Sequence, residues 1–332
     1  MREKPSIPEE QLRACLEEQY GMSPLTVEFL PLGLDTRAGL YRVVTGEGTS
    51  YLIRVKFGPL YEPSCVVPRF LWDRGIESVV PPLFNRSNGL WTELGDWRAT
   101  VYMFLDGDTG WAGMTDEHWK ATGVICKRLH EVVLPCEIFQ SLRKETFDPT
   151  EYIRWVAAFE AGHVFEPERP AERVLYASWM SHRPKIESTL TGLERLAGEL
   201  RRRTFPQVIC HADLHPANLL RDREGRVFVI DWEDVMIAPK ERDFIFVEAK
   251  QGQSSASQGM APFFQGYGDA EIDSAALAYY RHERIIQDLI ECAQNVFFRD
   301  DLGETTKSDS AQLFDQILTQ TALTAPEMSD DR

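Results

Sequence analysis

The sequence predicts an α+β fold with two lobes, in which an antiparallel sheet comes first and a mainly helical part follows. Segments typical of strands alternate with turn-forming residues over the first part of the chain, up to residue 104. Beyond residue 110 the apolar residues recur at the spacing of amphipathic helices instead. The chain has 332 residues, which is enough for two such lobes with a core in each.

The first lobe is predicted to hold five strands, with one helix before them and a second helix between the third and fourth. Apolar residues at helical spacing predict the opening helix over 9–20. Glycine-rich segments at 33–39 and 46–48 separate the first three strands. The predicted strands cover 26–30, 40–44, 51–57, 91–94 and 98–104, and the second helix covers 62–74.

The second lobe is predicted to be built mainly from helices, after a short linker that begins at Leu105-Asp106-Gly107. Helices are expected over 119–130, 149–165, 175–203 and 275–298, and Pro184 could interrupt the third of them. The resulting division is an N-terminal lobe at 1–104, a linker at 105–110, a helical lobe at 111–323 and a terminal tail at 324–332.

A predicted β-hairpin over 219–230 carries polar residues at both of its outer ends. His211, Asp213 and Asn218 precede the first strand, and Asp231 ends the second. Because antiparallel strands lie about 5 Å apart, the hairpin should bring Asp213, Asn218 and Asp231 together. Two carboxylates and an amide oxygen are donors that suit a hard cation such as Mg²⁺.

The order H-x-D-x-x-x-x-N, hairpin, Asp resembles the catalytic centre of kinases. Ala212 stands where protein kinases have arginine, and Trp232-Glu233 stands where they have Phe-Gly. The distance from Asp231 to the cluster at 241–243 is too short for a long activation loop. With these features, the sequence over 12–298 resembles the aminoglycoside phosphotransferase family. Three further segments share the resemblance, namely RVKFG, IDWEDVMIAPKERD and YYRHERI.

The resemblance implies a two-lobed, protein-kinase-like fold and an ATP- and Mg²⁺-dependent kinase of a small molecule. It implies that Asp213 is the catalytic base and that Asn218 and Asp231 are the metal ligands. His211 is expected to brace the catalytic loop by hydrogen bonding.

The resemblance also implies that the nucleotide phosphates lie against the third strand. Arg54 stands where the family has its lysine, and Lys56 lies on the same face of the strand and could substitute for it. Glu62, which opens the next helix, is expected to fix the cation. Asp35 and Thr36, at the tip of the first turn, are expected to face the phosphates.

Adenine recognition is expected at the end of the fifth strand, through the main chain of Met103, Phe104 and Leu105. Ile230, at the end of the hairpin, is a candidate for one wall of this site, and Leu83 is another. The sequence does not distinguish ATP from GTP as the phosphoryl donor.

The acceptor is expected between Asp213 and the C-terminal helices, and it is expected to be a cationic small molecule. With 36 Lys and Arg against 52 Asp and Glu, the formal net charge of −16 repels nucleic acid and anionic membranes. The resemblance implies an antibiotic such as spectinomycin or a related aminocyclitol or aminoglycoside. Choline, homoserine, a sugar or a nucleoside-type antibiotic are alternatives, because a shared fold does not fix the acceptor.

The candidate acceptor contacts lie in two segments, at 232–234 and at 281–283. Ion pairs within one helix could explain the charges of the segment at 281–283 equally well. Residues 240–243 could similarly anchor the hairpin rather than bind substrate. The candidate contacts are Trp232, Glu233, Asp234, Arg281, His282 and Glu283.

Two other interpretations fit part of the pattern. His211, Asp213 and His215 could be ligands in a zinc hydrolase, although the remaining histidines occur singly in helical segments. Arg54 in place of lysine would fit a catalytically inactive nucleotide-binding protein. The sequence predicts a cytoplasmic protein, because its six cysteines form no CxxC pairs and it shows neither an apolar leader nor a membrane-spanning run. The sequence leaves the oligomeric state open.

Overall fold

The chain folds into two lobes, an antiparallel sheet followed by a mainly helical part, as the sequence predicts. The structure, a computed structural model, describes residues 3–33, 35–162, 167–247 and 260–320. The predicted tail at 324–332 and the last residues of the helix predicted at 149–165 lie outside these ranges. No helix within them is both long enough and apolar enough to span a membrane.

The first lobe is one five-stranded sheet in the order β1-β2-β3-β5-β4, with every neighbouring pair antiparallel. Alternate residues of β2 are buried, so that Tyr41 and Val43 pack in one core with Leu12 and Leu16 of the opening helix. The elements are α1 (Glu9–Cys15) with a π-helical turn (Leu16–Tyr20), β1 (Pro24–Leu30), β2 (Ala38–Thr45), β3 (Ser50–Phe57), β4 (Thr92–Leu94) and β5 (Trp97–Met103).

Helix α2 (Pro63–Asp73) connects the two lobes rather than completing the core of the first. Its buried residues Val67 and Leu71 belong to the same core as Trp119 and Ile125 of the helical lobe. The chain after α2 also contacts the helical lobe, where the N–H of Val229 donates to the carbonyl oxygen of Ser78 at 2.8 Å. The start of α2 therefore lies at the boundary between the lobes.

The second lobe contains seven helices and six short strands among the described residues. Helix α6 runs through Pro184 without a break, because Trp179 and Ile186 on either side of it are buried in one core. The elements are β6 (Gly107–Thr109), α3 (Asp116–His130), α4 (Cys136–Ser141), β7 (Arg143–Lys144), α5 (Thr150–Gly162), α6 (Pro170–Leu200), β8 (Val208–Cys210), β9 (Leu219–Asp222), β10 (Val227–Val229), β11 (Met236–Ala238), α7 (Met260–Tyr267), α8 (Ser274–Phe297) and α9 (Glu304–Gln320).

The predicted hairpin is present as β9 and β10, with Leu219 opposite Val229. Strand β6 adds to its other edge, and the backbones lie so close that a Cβ atom on Gly107 would come within 2.0 Å of the Arg221 carbonyl oxygen. The predicted linker at 105–110 thus contains a strand of the second lobe, while the lobe boundaries themselves stay a prediction.

Candidate active site

The loop that follows β8 is held by one buried carboxylate. Asp243 accepts hydrogen bonds from the main-chain N–H groups of His211 (3.0 Å) and Ala212 (2.7 Å). Its Oδ2 atom also lies 3.0 Å from Nε2 of the buried His130. This support lets Ala212 keep a left-handed conformation (φ 68°), which costs energy for a residue with a Cβ atom.

His211 is fully buried, and both of its ring nitrogens are engaged in the loop. Nδ1 accepts from the N–H of Asp213 (3.3 Å), so Nε2 carries the proton that is donated to the carbonyl oxygen of Ile230 (3.0 Å). Through these two hydrogen bonds the ring joins the loop to the end of the hairpin. With these partners, His211 has no free nitrogen for the zinc site that the His-x-Asp-x-His pattern suggested.

Asp213 presents its carboxylate to the cleft with a hydrogen bond to each oxygen. Oδ1 accepts from Nη1 of Arg284 at 2.6 Å, and Oδ2 accepts from Nδ2 of Asn218 at 2.9 Å. Burial alone would raise its pKa, but the His215 ring and the Arg284 charge lower the pKa to about 2. Asp213 is therefore ionised at neutral pH.

Asn218 and Asp231 lie at the same end of the hairpin, where the N–H of Ile230 donates to the Asn218 carbonyl oxygen (3.0 Å). The Asn218 amide nitrogen donates to Asp213, which leaves its side-chain oxygen as a donor to a cation. The Asp231 carboxylate has no hydrogen bond or ion pair within the described residues. Burial raises the pKa of Asp231, and the nearby Arg54 opposes that rise. A carboxylate without a protein partner beside an amide oxygen fits the oxygen ligands that Mg²⁺ prefers.

Arg54 and Lys56 of β3 face the same cleft from the first lobe. Each forms an ion pair with Glu233, and each also lies 3.3 Å from Oδ2 of Asp35. Burial by itself would raise the pKa of Glu233, but its bonds to the two cations lower that pKa to about 2. Glu233, predicted as an acceptor contact, instead binds the two cations predicted to meet the phosphates.

The partner predicted for Arg54 from helix α2 is not found. Glu62 lies just before α2 with its side chain exposed, and no ion pair joins it to Arg54 in the part of the chain that the structure describes. The carboxylate of Glu233 takes that place from the other lobe. The role of Glu62 stays a prediction, and its side chain is exposed in this structure.

The tip of the turn between β1 and β2 spans the cleft. Asp35 contacts Arg54 and Lys56, whereas the hydroxyl of Thr36 accepts a hydrogen bond from Nη1 of Arg299 at 2.9 Å. Arg299 lies two residues after the end of α8, so the turn reaches from the phosphate-side cations to the helical lobe.

At the end of β5, one of the predicted main-chain donors is already used. Phe104 donates its N–H to the carbonyl oxygen of Ser50 (3.2 Å), which extends the ladder between β3 and β5. The N–H of Leu105 makes no hydrogen bond among the described residues and remains available to a ligand. Met103 is paired with Tyr51 and its side chain is exposed, and Ile230 is half-buried at the end of the hairpin.

Most of the predicted acceptor contacts have structural partners instead. Trp232 is buried and donates its indole N–H to the Val229 carbonyl oxygen at 3.3 Å. Asp234, which is partly exposed, lies 3.8 Å from Arg143.

The candidate residues on α8 are likewise tied to the helical lobe. The buried Glu283 pairs with Arg242 and accepts from the Tyr279 hydroxyl (3.2 Å), and His282 bonds to a main-chain oxygen of its own helix. Arg281 is half-buried on α8. Glu283 and His282 therefore have structural partners, although the ion pair of Glu283 joins α8 to Arg242 and is not the pair within one helix that the sequence suggested.

Three residues of the site were missed from the sequence, and all lie on α8. Arg284 binds Asp213 through Nη1 and Asp288 through Nε (3.0 Å to Oδ2). Burial raises the pKa of both Asp288 and Glu291, which are neighbours on this face. Their spacing at 284, 288 and 291 is that of one helix face, so a charged stripe was visible in the sequence.

Fold and site together define a small-molecule kinase, with an ionised aspartate in the cleft beside two oxygen donors suited to a cation. The chain belongs to the phosphotransferase enzyme family known as APH, whose family model matches residues 28–280. A comparison with curated protein sequences finds no match.

Solved structures of related kinases agree with this assignment. The spectinomycin phosphotransferase APH(9)-Ia in complex with ADP and spectinomycin is 26% identical, with a TM-score of 0.82 over 96% of this chain and 100% of that chain. Its AMP-bound complex is 26% identical, with a TM-score of 0.81 over 95% and 98%. An amicoumacin kinase in complex with AMP-PNP and Ca²⁺ shares the fold at 16% identity, with a TM-score of 0.63 over 95% and 94%.

Proposed function

We propose that the protein is a cytoplasmic, ATP- and Mg²⁺-dependent phosphotransferase that phosphorylates a hydroxyl group of spectinomycin or a related aminocyclitol or aminoglycoside. The observation that carries the proposal is the convergence of ionised Asp213 with Asn218 and Asp231 at one end of the hairpin, where Asp231 has no partner among the residues that the structure describes. Full-length similarity to a spectinomycin phosphotransferase supports the choice of acceptor.

Asp213 orients the acceptor hydroxyl toward the γ-phosphorus and takes its proton as the new O–P bond forms. The bond between the γ-phosphorus and the bridging oxygen breaks at the same time, and ADP leaves. Because the transition state of phosphoryl transfer is loose, the attacking oxygen loses its proton late and a weakly basic carboxylate is sufficient. The pKa of about 2 at Asp213 is therefore compatible with this role.

Arg54 and Lys56 provide the cations for the phosphate oxygens, and Leu105 offers an N–H for the adenine ring. Asn218 and Asp231 would hold Mg²⁺, which neutralises phosphate oxygens when bound. Desolvation of the Asp231 carboxylate raises its pKa, and a bound cation would favour its ionised form.

A cationic acceptor suits the charges on the side of the cleft formed by α8. Arg284 is shared between Asp213 and Asp288, and Glu291 adds a further carboxylate near them. Burial raises the pKa of Glu291 and repulsion by Asp288 adds to the rise, so an ammonium group of the acceptor would stabilise the ionised form.

The test is phosphate transfer from [γ-³²P]ATP to spectinomycin by the purified protein, with and without Mg²⁺, analysed by mass spectrometry of the product. Transfer is expected with wild type, and Asp213→Asn should lower kcat by about 10²- to 10⁴-fold while ADP binding and the melting temperature stay close to wild type. Transfer to choline or a sugar but not to spectinomycin would retain the kinase and reject the acceptor. Unimpaired turnover by Asp213→Asn would reject the mechanism.

A further inference from the structure

Two cations of the first lobe share one carboxylate of the second. Oε1 of Glu233 pairs with Nη1 of Arg54, and Oε2 pairs with Nζ of Lys56. The side chains of Arg54, Lys56 and Glu233 are 15%, 25% and 23% exposed, so these contacts are largely shielded from solvent. Shielded ion pairs hold a defined geometry far better than exposed ones.

The segment that carries Glu233 lies beside the start of helix α2. The hydroxyl of Tyr61, two residues before α2, donates to the carbonyl oxygen of Val235 at 3.1 Å. This is the region from which a helix glutamate fixes the phosphate-binding cation in kinases. Glu62 lies at the start of the same helix, but its side chain is exposed and forms no ion pair with Arg54 or Lys56 among the described residues.

We infer that Glu233 is the positioning residue that orients Arg54 and Lys56 toward the nucleotide phosphates. The carboxylate comes from the segment directly after Asp231 and not from helix α2. This inference rests on the proposed function, since it assigns a role within the same nucleotide site.

The origin of the carboxylate has a structural consequence. Glu233 is 179 residues from Arg54 in the chain and belongs to the other lobe. The two cations are therefore oriented only while the lobes are together, and separation of the lobes would release both side chains at once. Asp35 cannot replace Glu233 in this respect, because it belongs to the first lobe and moves with β3.

The experiment compares the affinities of ADP and adenosine by isothermal titration calorimetry, because their ratio isolates the contribution of the phosphates. Glu233→Gln is expected to lower this ratio at least fivefold. The same substitution in an R54Q/K56Q background is expected to change it less than twofold, since no cation remains to be oriented. Glu233→Asp keeps the charge on a shorter side chain and should give an intermediate ratio.

Glu93→Gln is the matched control, because Glu93 pairs with Arg98 on the same sheet and is 72% exposed. It should leave the ratio unchanged, and melting temperatures verify that every variant is folded. The assignment would be overturned if E233Q left the ratio of ADP affinity to adenosine affinity unchanged or raised it. An equal change of this ratio in the wild-type and R54Q/K56Q backgrounds would also overturn it. If E233Q does not fold, the same ratio measured for E233D decides. Because no acceptor is present, a missing phosphate transfer to spectinomycin would leave this result intact.

Discussion

Arg284 donates a hydrogen bond to Oδ1 of Asp213 at 2.6 Å and holds Asp288 with the same guanidinium group. A cation of α8 thus lies between the proposed catalytic base and the carboxylates of Asp288 and Glu291, which are called the acidic face of the cleft below. Each oxygen of Asp213 already has a protein partner, so an acceptor hydroxyl must share or replace one of them.

Replacing Arg284 should impair the orientation of Asp213. We expect Arg284→Gln to lower kcat by about tenfold to a hundredfold, on the scale of removing one preorganised charged contact. The pKa of Asp213 should rise without the opposing cation, so the acid limb of the pH–rate profile should move to higher pH. Arg183→Gln on α6 is the control, and an acid limb at its wild-type position would contradict the expected coupling.

Removal of a carboxylate from the acidic face should weaken acceptor binding more than catalysis. Glu291→Gln is expected to raise the KM for a cationic acceptor about fivefold or more and to leave kcat within about twofold, because the lost attraction acts on the bound acceptor before transfer. Glu187→Gln, on the exposed side of α6, should alter neither value. Steady-state kinetics measure this effect, and the rise in KM should be smaller at high salt because salt screens the attraction. A KM for Glu291→Gln equal to that of wild type would contradict binding of the acceptor at the acidic face.

Asp243 should matter for stability as much as for activity. Asp243→Asn leaves a buried main-chain N–H without its charged acceptor, and we expect a loss of about 3 kcal/mol in the free energy of unfolding. Urea unfolding at pH 7 measures this loss. Asp73→Asn, which removes one partner of an exposed pair with Arg69, should cost less than about 0.5 kcal/mol. Similar losses in the two variants would mean that Asp243 does not hold the loop.

The cap of α8 predicts a dependence of stability on pH. Asp273 accepts from the N–H groups of Ala275 (3.1 Å) and Ala276 (2.9 Å) and pairs with Arg203. Burial favours a higher pKa, but these partners lower the pKa of Asp273 below its ordinary value. Its contribution is therefore present above the unfolded pKa and is lost as pH falls through the folded pKa.

Asp273→Ala is expected to cost about 1 kcal/mol at pH 7, the usual magnitude for a helix cap. The difference from wild type should shrink as the pH is lowered below about 4, where the carboxylate begins to be protonated. Urea midpoints measured along a pH series provide the comparison. A difference that stays constant down to pH values where Asp273 is neutral would show that the charge is not involved.

The meeting of the hairpin residues was predictable because they lie close together in the chain. Asp213, Asn218 and Asp231 are separated only by strands whose pairing follows from the turn between them, so their order along the chain specifies their meeting point. His211 could be placed for the same reason. The family pattern then supplied the two-lobed fold, which the structure confirms.

The contacts between lobes could not be read in the same way. Glu233 and Arg54 meet across 179 residues, and their meeting depends on how the sheet lobe sits on the helical lobe. Glu62 was assigned to Arg54 from its order in the chain alone, whereas the orientation of its side chain depends on how α2 packs. Arg284 was missed beside the chosen residues 281–283, since the face of α8 that meets Asp213 is decided by tertiary packing.

Thr36 joins the turn between β1 and β2 to Arg299, next to the end of α8. The turn also carries Asp35, which contacts the cations on the nucleotide side. Lifting this single turn would therefore break its contacts with Arg54 and Lys56 and with Arg299 together. We expect the release of ADP and the release of the phosphorylated product to depend on one shared movement of this turn. The slower of the two release steps would then limit the turnover rate.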